Sequence, residues 1–150
     1  MIWSLLWGAL GVVAGAFLAI QAPINAALSK GLGLPVAAAA SSFLAGAVAL
    51  AFVSAALSQA QGISIGWRVP PLWMFFVGGC LGAAFITAVI ILTPRLGAAA
   101  TMGFVVAGQL LAGIVVDRIG FLGLAVREIS FGRVAGAVLL LAGAVLIRIY

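Results

Sequence analysis

The hydrophobic residues of this chain run in long uncharged stretches, separated by short segments that carry nearly all of the ionic groups. A helix needs about 20 apolar residues to cross a hydrocarbon core about 30 Å thick. Five stretches reach this length, and Arg133 and Arg148 bracket the fifth, where they can snorkel to the interfaces. The pattern predicts membrane spans at about 2–28, 35–58, 72–93, 98–116 and 131–149.

These stretches do not alternate between polar and apolar residues, so self-contained helices are favoured over barrel strands. Glycine and proline positions support this division into helices. Segment 31–35 ends one helix and starts the next, and Pro70 and Pro71 open the third span. Segment 93–97 predicts a very short turn, and the apolar segment 119–126 is too short to cross and is expected at the interface. The predicted fold is an all-α polytopic membrane protein with five transmembrane helices in a single transmembrane domain, 1–150.

Composition narrows the function classes. Hydrophobic residues make up 67% of the 150 residues and charged residues 6%, which excludes a soluble enzyme, a disordered tail and a disulfide scaffold. There is no His and one Cys, so neither a His-based catalytic unit nor a multi-Cys metal site is expected, and no cofactor is implied. The net charge of +5 rests on nine charges, too few for a nucleic-acid surface, and indicates anchoring to membrane lipid.

Orientation is weakly encoded. With five spans the termini lie on opposite sides, and Lys and Arg number four on the N-terminal side and three on the other. A clear excess normally sets the cytoplasmic side. One interpretation is dual insertion, which would permit an antiparallel homodimer with the inverted-repeat architecture of transporters. The alternative is a single orientation set by a weak bias.

Glycines recur at helical spacing within the predicted spans. Such spacing lets helix backbones approach closely in lipid. The pattern predicts helix packing within the bundle, or for one pair a contact between two chains. The candidates are Gly11 and Gly15, Gly78 and Gly82, and Gly132 and Gly136.

Gln21 and Asn25 share one helix face, and Pro23 lies between them. Proline lacks an N–H and clashes with the carbonyl four residues earlier, so Pro23 predicts a kink or hinge that frees an acceptor on Ala19. Carboxamides donate and accept, so the group can bind a neutral polar solute. The alternative is a structural kink whose amides cap the freed backbone.

Gln109 lies in the middle of the fourth span, and Asp117 follows on the same stripe about 12 Å further along the axis. We expect Gln109 to line a solute cavity shared with Gln21 and Asn25, or else to make an interhelical hydrogen bond. Asp117 is the one acid placed for proton or ion coupling, although charges at span ends are more often solvated or bound to headgroups.

The order and spacing of several short motifs resemble the YdcZ-type family of the drug/metabolite transporter superfamily. The resemblance implies a five-helix inner-membrane protein that is half of a ten-helix transporter for small organic solutes and works by alternating access. The first span lacks the acid of the four-helix multidrug branch, which argues against proton-coupled cation export. The motifs are Gly11–Gly15, Gln21–Leu28, Ala40–Phe43 with Gly46, Pro94–Ala98, Ala107–Gln109, and Asp117 with Gly120.

One chain has too few helices to build two gates, so the favoured function is solute transport by a homodimer, or by a pair with an oppositely oriented homologue. The alternative is a non-transporting accessory subunit whose glycine faces bind a larger membrane partner. A channel is disfavoured because no charged ring is available, and an enzyme because the spans hold no acid/base pair.

Overall fold

The computed structural model describes residues 2–150 and consists of five α-helices joined by short connectors. All five are long and apolar enough to cross a membrane, and the described residues contain no strand, so the all-α prediction is confirmed. One turn of 3-10 helix, Phe121–Gly123, lies between the last two helices. The helices are α1 Ile2–Leu32, α2 Pro35–Gln61, α3 Leu72–Leu96, α4 Ala98–Ile119 and α5 Phe131–Ile149.

Each helix begins at the residue predicted for its span, and the first four run three or four residues past the predicted end. The hydrophobic pattern follows the apolar run, whereas the helical backbone continues into the polar and charged residues that come after it. Lys30, Arg95 and Arg118 fall in the last turns of their helices. Cations are favourable there because the helix C-terminus carries partial negative charge.

The connector between α3 and α4 is shorter than predicted. Segment 93–97 was expected to be a turn, but α3 continues through Pro94 to Leu96 and Gly97 alone separates the two helices. Gly97 has φ of 85°, a conformation open to glycine and strained for other residues. Its carbonyl accepts hydrogen bonds from both the backbone N–H and the hydroxyl of Thr101. A proline in the last turn of a helix removes one hydrogen bond and leaves the helix otherwise intact, so Pro94 does not end α3 as the sequence suggested.

The chain divides into two compact units. The α4–α5 unit contains the chain up to Ala19 together with residues 92–150, and the α2–α3 unit contains residues 20–91. In the α4–α5 unit the two helices pack at close range. A Cβ atom added to Gly103 would lie 2.8 Å from the Cβ of Ala144, so only glycine permits this approach.

In the α2–α3 unit, a buried cluster of Ala38 and Ala39 from α2 with Ile86 and Ile90 from α3 holds the two helices together. The ring of Phe43 lies over Gly82, where an added Cβ would meet the ring at 3.1 Å. Small residues on one helix therefore accept large side chains from the other, and in lipid such van der Waals contact is the main source of helix association.

The connector between α4 and α5 is tied back to the end of α4. The backbone N–H of Arg127 donates to the carbonyl of Asp117 at 3.0 Å. Ser130 caps α5 by accepting from the backbone N–H of Arg133. Phe121, Leu122 and Leu124 are exposed, which suits a segment that lies at the bilayer interface.

Candidate functional site

The polar contact that connects two membrane helices of the α2–α3 unit is made by Gln21 and Ser42. Gln21 is half-buried on α1, and its Nε2 donates to the Oγ of Ser42 on α2 at 3.3 Å. Gly33 and Leu34 connect these helices, and both side chains lie a few turns from that connector. Within the described chain this is the one hydrogen bond of each side chain, which leaves the Gln21 carbonyl oxygen and the Ser42 proton uncommitted.

Ser42 differs from three other hydroxyls within the helices. Ser41, Thr87 and Thr101 each donate to the carbonyl four residues earlier in their own helix, at 2.9, 2.7 and 2.7 Å. Such bonds satisfy the hydroxyl locally and leave nothing for a ligand. Nothing in the sequence distinguishes these hydroxyls from one another, and Ser42 is set apart by its position opposite Gln21, which only the fold provides.

A groove of about 310 Å³ opens beside this pair. Gln21 and Ser42 form its polar end, and apolar or small residues form the rest. None of the lining residues is charged. They are Gln21, Ser42, Phe43, Gly46, Ala47 and Leu50.

Asn25 lies one turn beyond Gln21 on α1 and is only 3% exposed. Its Nδ2 atom is buried and has no hydrogen-bond partner in the described chain. A buried amide group without a partner costs about 1–3 kcal/mol. Pro23 is exposed, and α1 remains helical on both sides of it. The unsatisfied amide therefore lies in a helix that lacks one backbone hydrogen bond nearby.

Gln109 belongs to the other unit and is exposed there. The structure thus describes the predicted trio in two separate units, and the cavity shared by Gln21, Asn25 and Gln109 stays a prediction. An exposed carboxamide in the middle of a membrane helix is costly in lipid unless a cavity or another helix covers it.

Asp117 does not stand free at the end of α4. Its carboxylate forms an ion pair with the guanidinium of Arg133 in the first turn of α5, and both side chains are about one-third exposed or less. Arg133 also donates to the carbonyl of Glu128. For Asp117, the expectation that acids at span ends are solvated or headgroup-bound is corrected, because the α4–α5 hairpin brings a basic residue to it. Glu128 is exposed, and the expectation is not contradicted there.

The glycines singled out in the sequence differ in surroundings. Gly82 contacts Phe43, whereas a Cβ at Gly11, Gly15, Gly78, Gly132 or Gly136 would meet nothing within 4 Å. Their role in a contact with another chain stays a prediction. Gly103, which makes the close contact with Ala144, was missed because only pairs of glycines four residues apart were singled out, and its neighbours at that spacing are Ala99 and Ala107. No group of three His, Cys, Asp or Glu side chains in residues 2–150 could hold a metal ion.

Five apolar helices with carboxamides and hydroxyls among them define a multi-pass membrane protein. A family model described as "Putative inner membrane exporter, YdcZ" matches residues 6–146. The chain belongs to this family of membrane transporters.

A curated relative is the inner membrane protein YdcZ of Escherichia coli strain K12, which is 37% identical over 75 residues. The aligned region covers half of this chain and half of the relative. No solved structure matches the chain. The family and the five helices identify a multi-pass protein of the inner membrane.

Proposed function

We propose that this chain exports small organic solutes by alternating access, as an antiparallel homodimer in which each copy supplies half of a ten-helix transporter. The observation that carries the proposal is Asn25, which is only 3% exposed and whose Nδ2 atom has no hydrogen-bond partner among the described residues. A bundle with a purely structural role would avoid that cost with an apolar residue.

The exposure of α1 supports assembly with another chain. Every residue from Leu5 to Phe17 is exposed, on all faces of the helix. Gly8, Gly11 and Gly15 lie within this stretch, and each has open space where a Cβ would be. A glycine-bearing face that no helix covers suits close packing against a second copy.

In this proposal Gln21, Asn25 and Gln109 contact the solute, and Pro23 is the hinge that lets the end of α1 move. Asp117 contributes to proton or ion coupling only in a state in which Arg133 has released it. No other acid lies within a span. This suits neutral solutes, whose transport does not require a coupling group inside the bilayer.

Orientation is tested by labelling. A Tyr150→Cys variant in a Cys80→Ser background is treated with a membrane-impermeant maleimide from either side of sealed inner-membrane vesicles. Dual insertion predicts labelling from both sides, and two added Arg residues in the 62–71 connector should shift the ratio strongly. Strictly one-sided labelling removes the antiparallel homodimer and requires an oppositely oriented partner chain.

Transport is tested with the purified full chain in proteoliposomes loaded with a panel of neutral and charged small solutes, with protein-free liposomes as the control. The proposal predicts protein-dependent efflux of at least one neutral solute. Efflux of none, from a preparation that assembles normally, would favour an accessory subunit instead.

A further inference from the structure

The groove beside Gln21 and Ser42 does not end there. Ala47 and Leu50 line both this groove and a second one that extends to Ile65 and Trp67. A third shares Ser54, Ile65 and Trp67 with the second and reaches Gln61, the last residue of α2. Ser42 and Gln61 are 19 residues apart in one helix, a rise of about 28 Å, which is close to the thickness of a hydrocarbon core.

The polar groups at the first end of the groove are neutral and partly unused. The Gln21 carboxamide keeps its carbonyl oxygen and one N–H, and Ser42 keeps its hydroxyl proton, after the bond between them is made. A charged solute would lose its hydration here without meeting an opposite charge, because no lining residue is ionised. A neutral solute would exchange its water hydrogen bonds for these groups.

The remaining lining suits a compact apolar body. The ring of Phe43 lines the groove and also packs against Gly82. Gly46 leaves the floor open, since an added Cβ would meet nothing within 4 Å. A cavity of about 150 Å³ accepts benzene, so a groove of about 310 Å³ has room for a ring with a substituent.

We propose that the Gln21–Ser42 end of this groove is a binding subsite for neutral amphipathic solutes. Such a solute is a ring that carries an uncharged group able to donate and accept hydrogen bonds, such as a carboxamide. The ring lies against Phe43 over Gly46, and the polar group bonds to Gln21 and Ser42. This proposal rests on the proposed transport function and names the class of solute and the further residues that bind it.

The first experiment asks whether the groove contains water or is filled by lipid or protein. Gly46→Cys and Ala45→Cys variants, each in a Cys80→Ser background, are reconstituted in liposomes and treated with N-ethylmaleimide. Ala45 is the matched control because it is exposed and adjacent but does not line the groove. The thiol of Gly46→Cys should react more than about tenfold faster, since maleimide alkylates the thiolate, which needs water.

The second experiment measures binding with three probes of one size, namely benzamide, benzoate and benzylamine. Benzamide should slow the alkylation of Gly46→Cys and stabilise the unmodified protein against heat, and the two charged probes should do neither. Ser42→Ala should weaken benzamide binding about fivefold to tenfold, the effect of one neutral hydrogen bond. Ser41→Ala should leave binding unchanged, because Ser41 bonds to its own helix.

Equal reactivity of the two cysteines, equal effects of the three probes, or equal effects of Ser41→Ala and Ser42→Ala would each overturn the subsite. A change of oligomeric state in Gly46→Leu without any loss of probe binding would do the same, and would assign the groove to a contact between copies. Benzamide binding that depends on Ser42, in a protein that moves no solute, would support the subsite and refute transport. Solute flux that is unaffected by Ser42→Ala and Gly46→Leu would leave transport standing and refute the subsite.

Discussion

The α4–α5 hairpin and the α1–α2 hairpin are built from similar small and apolar residues, yet they close in opposite ways. Gly103 meets Ala144 so closely that the helices leave no space between them there. Gln21 and Ser42 meet through side chains at 3.3 Å, and a groove remains beside them. Backbone contact through glycine produces a dry, tight pair, whereas contact through polar side chains leaves space and unused hydrogen-bonding groups.

The charges reinforce the difference. Asp117 lies near the C-terminus of α4 and Arg133 near the N-terminus of α5, the ends at which an acid and a base are each unfavourable to the helix dipole. Their ion pair compensates both, and it ties the end of α4 to the start of α5. The α1–α2 hairpin has no corresponding ion pair within the described residues. The first hairpin is closed by packing and an ion pair, whereas the second keeps uncommitted polar groups beside a groove.

The largest expected effect comes from filling the tight contact. Gly103→Val should lower the free energy of unfolding by about 1–3 kcal/mol or more, because the new side chain overlaps Ala144 and the helices must separate. Thermal unfolding of the purified protein in detergent measures this. Gly108→Val is the matched control, since it adds the same β-branched residue to α4 where nothing lies within 4 Å. Equal losses in both variants would show that the effect is helix propensity and not packing.

Breaking the ion pair should have the next largest effect. Asp117→Ala leaves Arg133 uncompensated at the start of α5 and should cost about 1 kcal/mol, a modest value because both side chains are partly exposed to solvent. The double variant Asp117→Ala with Arg133→Ala should recover part of the loss, as a double-mutant cycle detects. Glu128→Ala should change little. A cycle with no coupling would mean that the pair does not close the hairpin.

The helices could be predicted from sequence because bilayer thickness imposes a length on each apolar run, and Gly33, Pro35 and Pro71 mark where runs stop and start. The ends of the helices could not, since the interface accepts both helix and coil. The pairing of Asp117 with Arg133 was also missed, because the two residues are 16 positions apart and only the α4–α5 hairpin brings them together.

The residues of the candidate site also differ in whether they could be predicted from the sequence. Gln21 and Asn25 could be singled out because any carboxamide in a span needs a reason to be there. Ser42 could not be separated from Ser41 by sequence. Neighbouring positions on a helix point about 100° apart, and only the placement of α1 decides which of the two side chains Gln21 contacts. Gly46 belongs to one of the family motifs, but it has no side-chain chemistry, so the sequence does not reveal that it lines a groove.

An effect of similar size and opposite sign is expected at Asn25. Asn25→Leu keeps the branched shape and removes the unsatisfied amide, so it should raise the free energy of unfolding by about 1 kcal/mol. The same variant should lose solute flux. Thermal unfolding and proteoliposome efflux are measured on one preparation, with Ile24→Leu, an exposed neighbour, as the control. Destabilisation by Asn25→Leu would indicate that the amide has a structural role, and the site assignment would be withdrawn.

The smallest effect on stability, and the sharpest separation of stability from function, is expected at Gln109. Because Gln109 is exposed, Gln109→Ala should change the free energy of unfolding by no more than about 0.5 kcal/mol. If the carboxamide contacts solute, flux should fall while assembly of the dimer is retained. Gln109→Glu places an acid within the span, where deprotonation is costly and a cation can replace the proton, so transport should become pH-dependent or shift toward cations. Size-exclusion chromatography and efflux assays at several pH values measure both outcomes. Intact flux with a disrupted dimer in Gln109→Ala would make Gln109 a contact between chains, and the binding groups would then be confined to the α1–α2 hairpin.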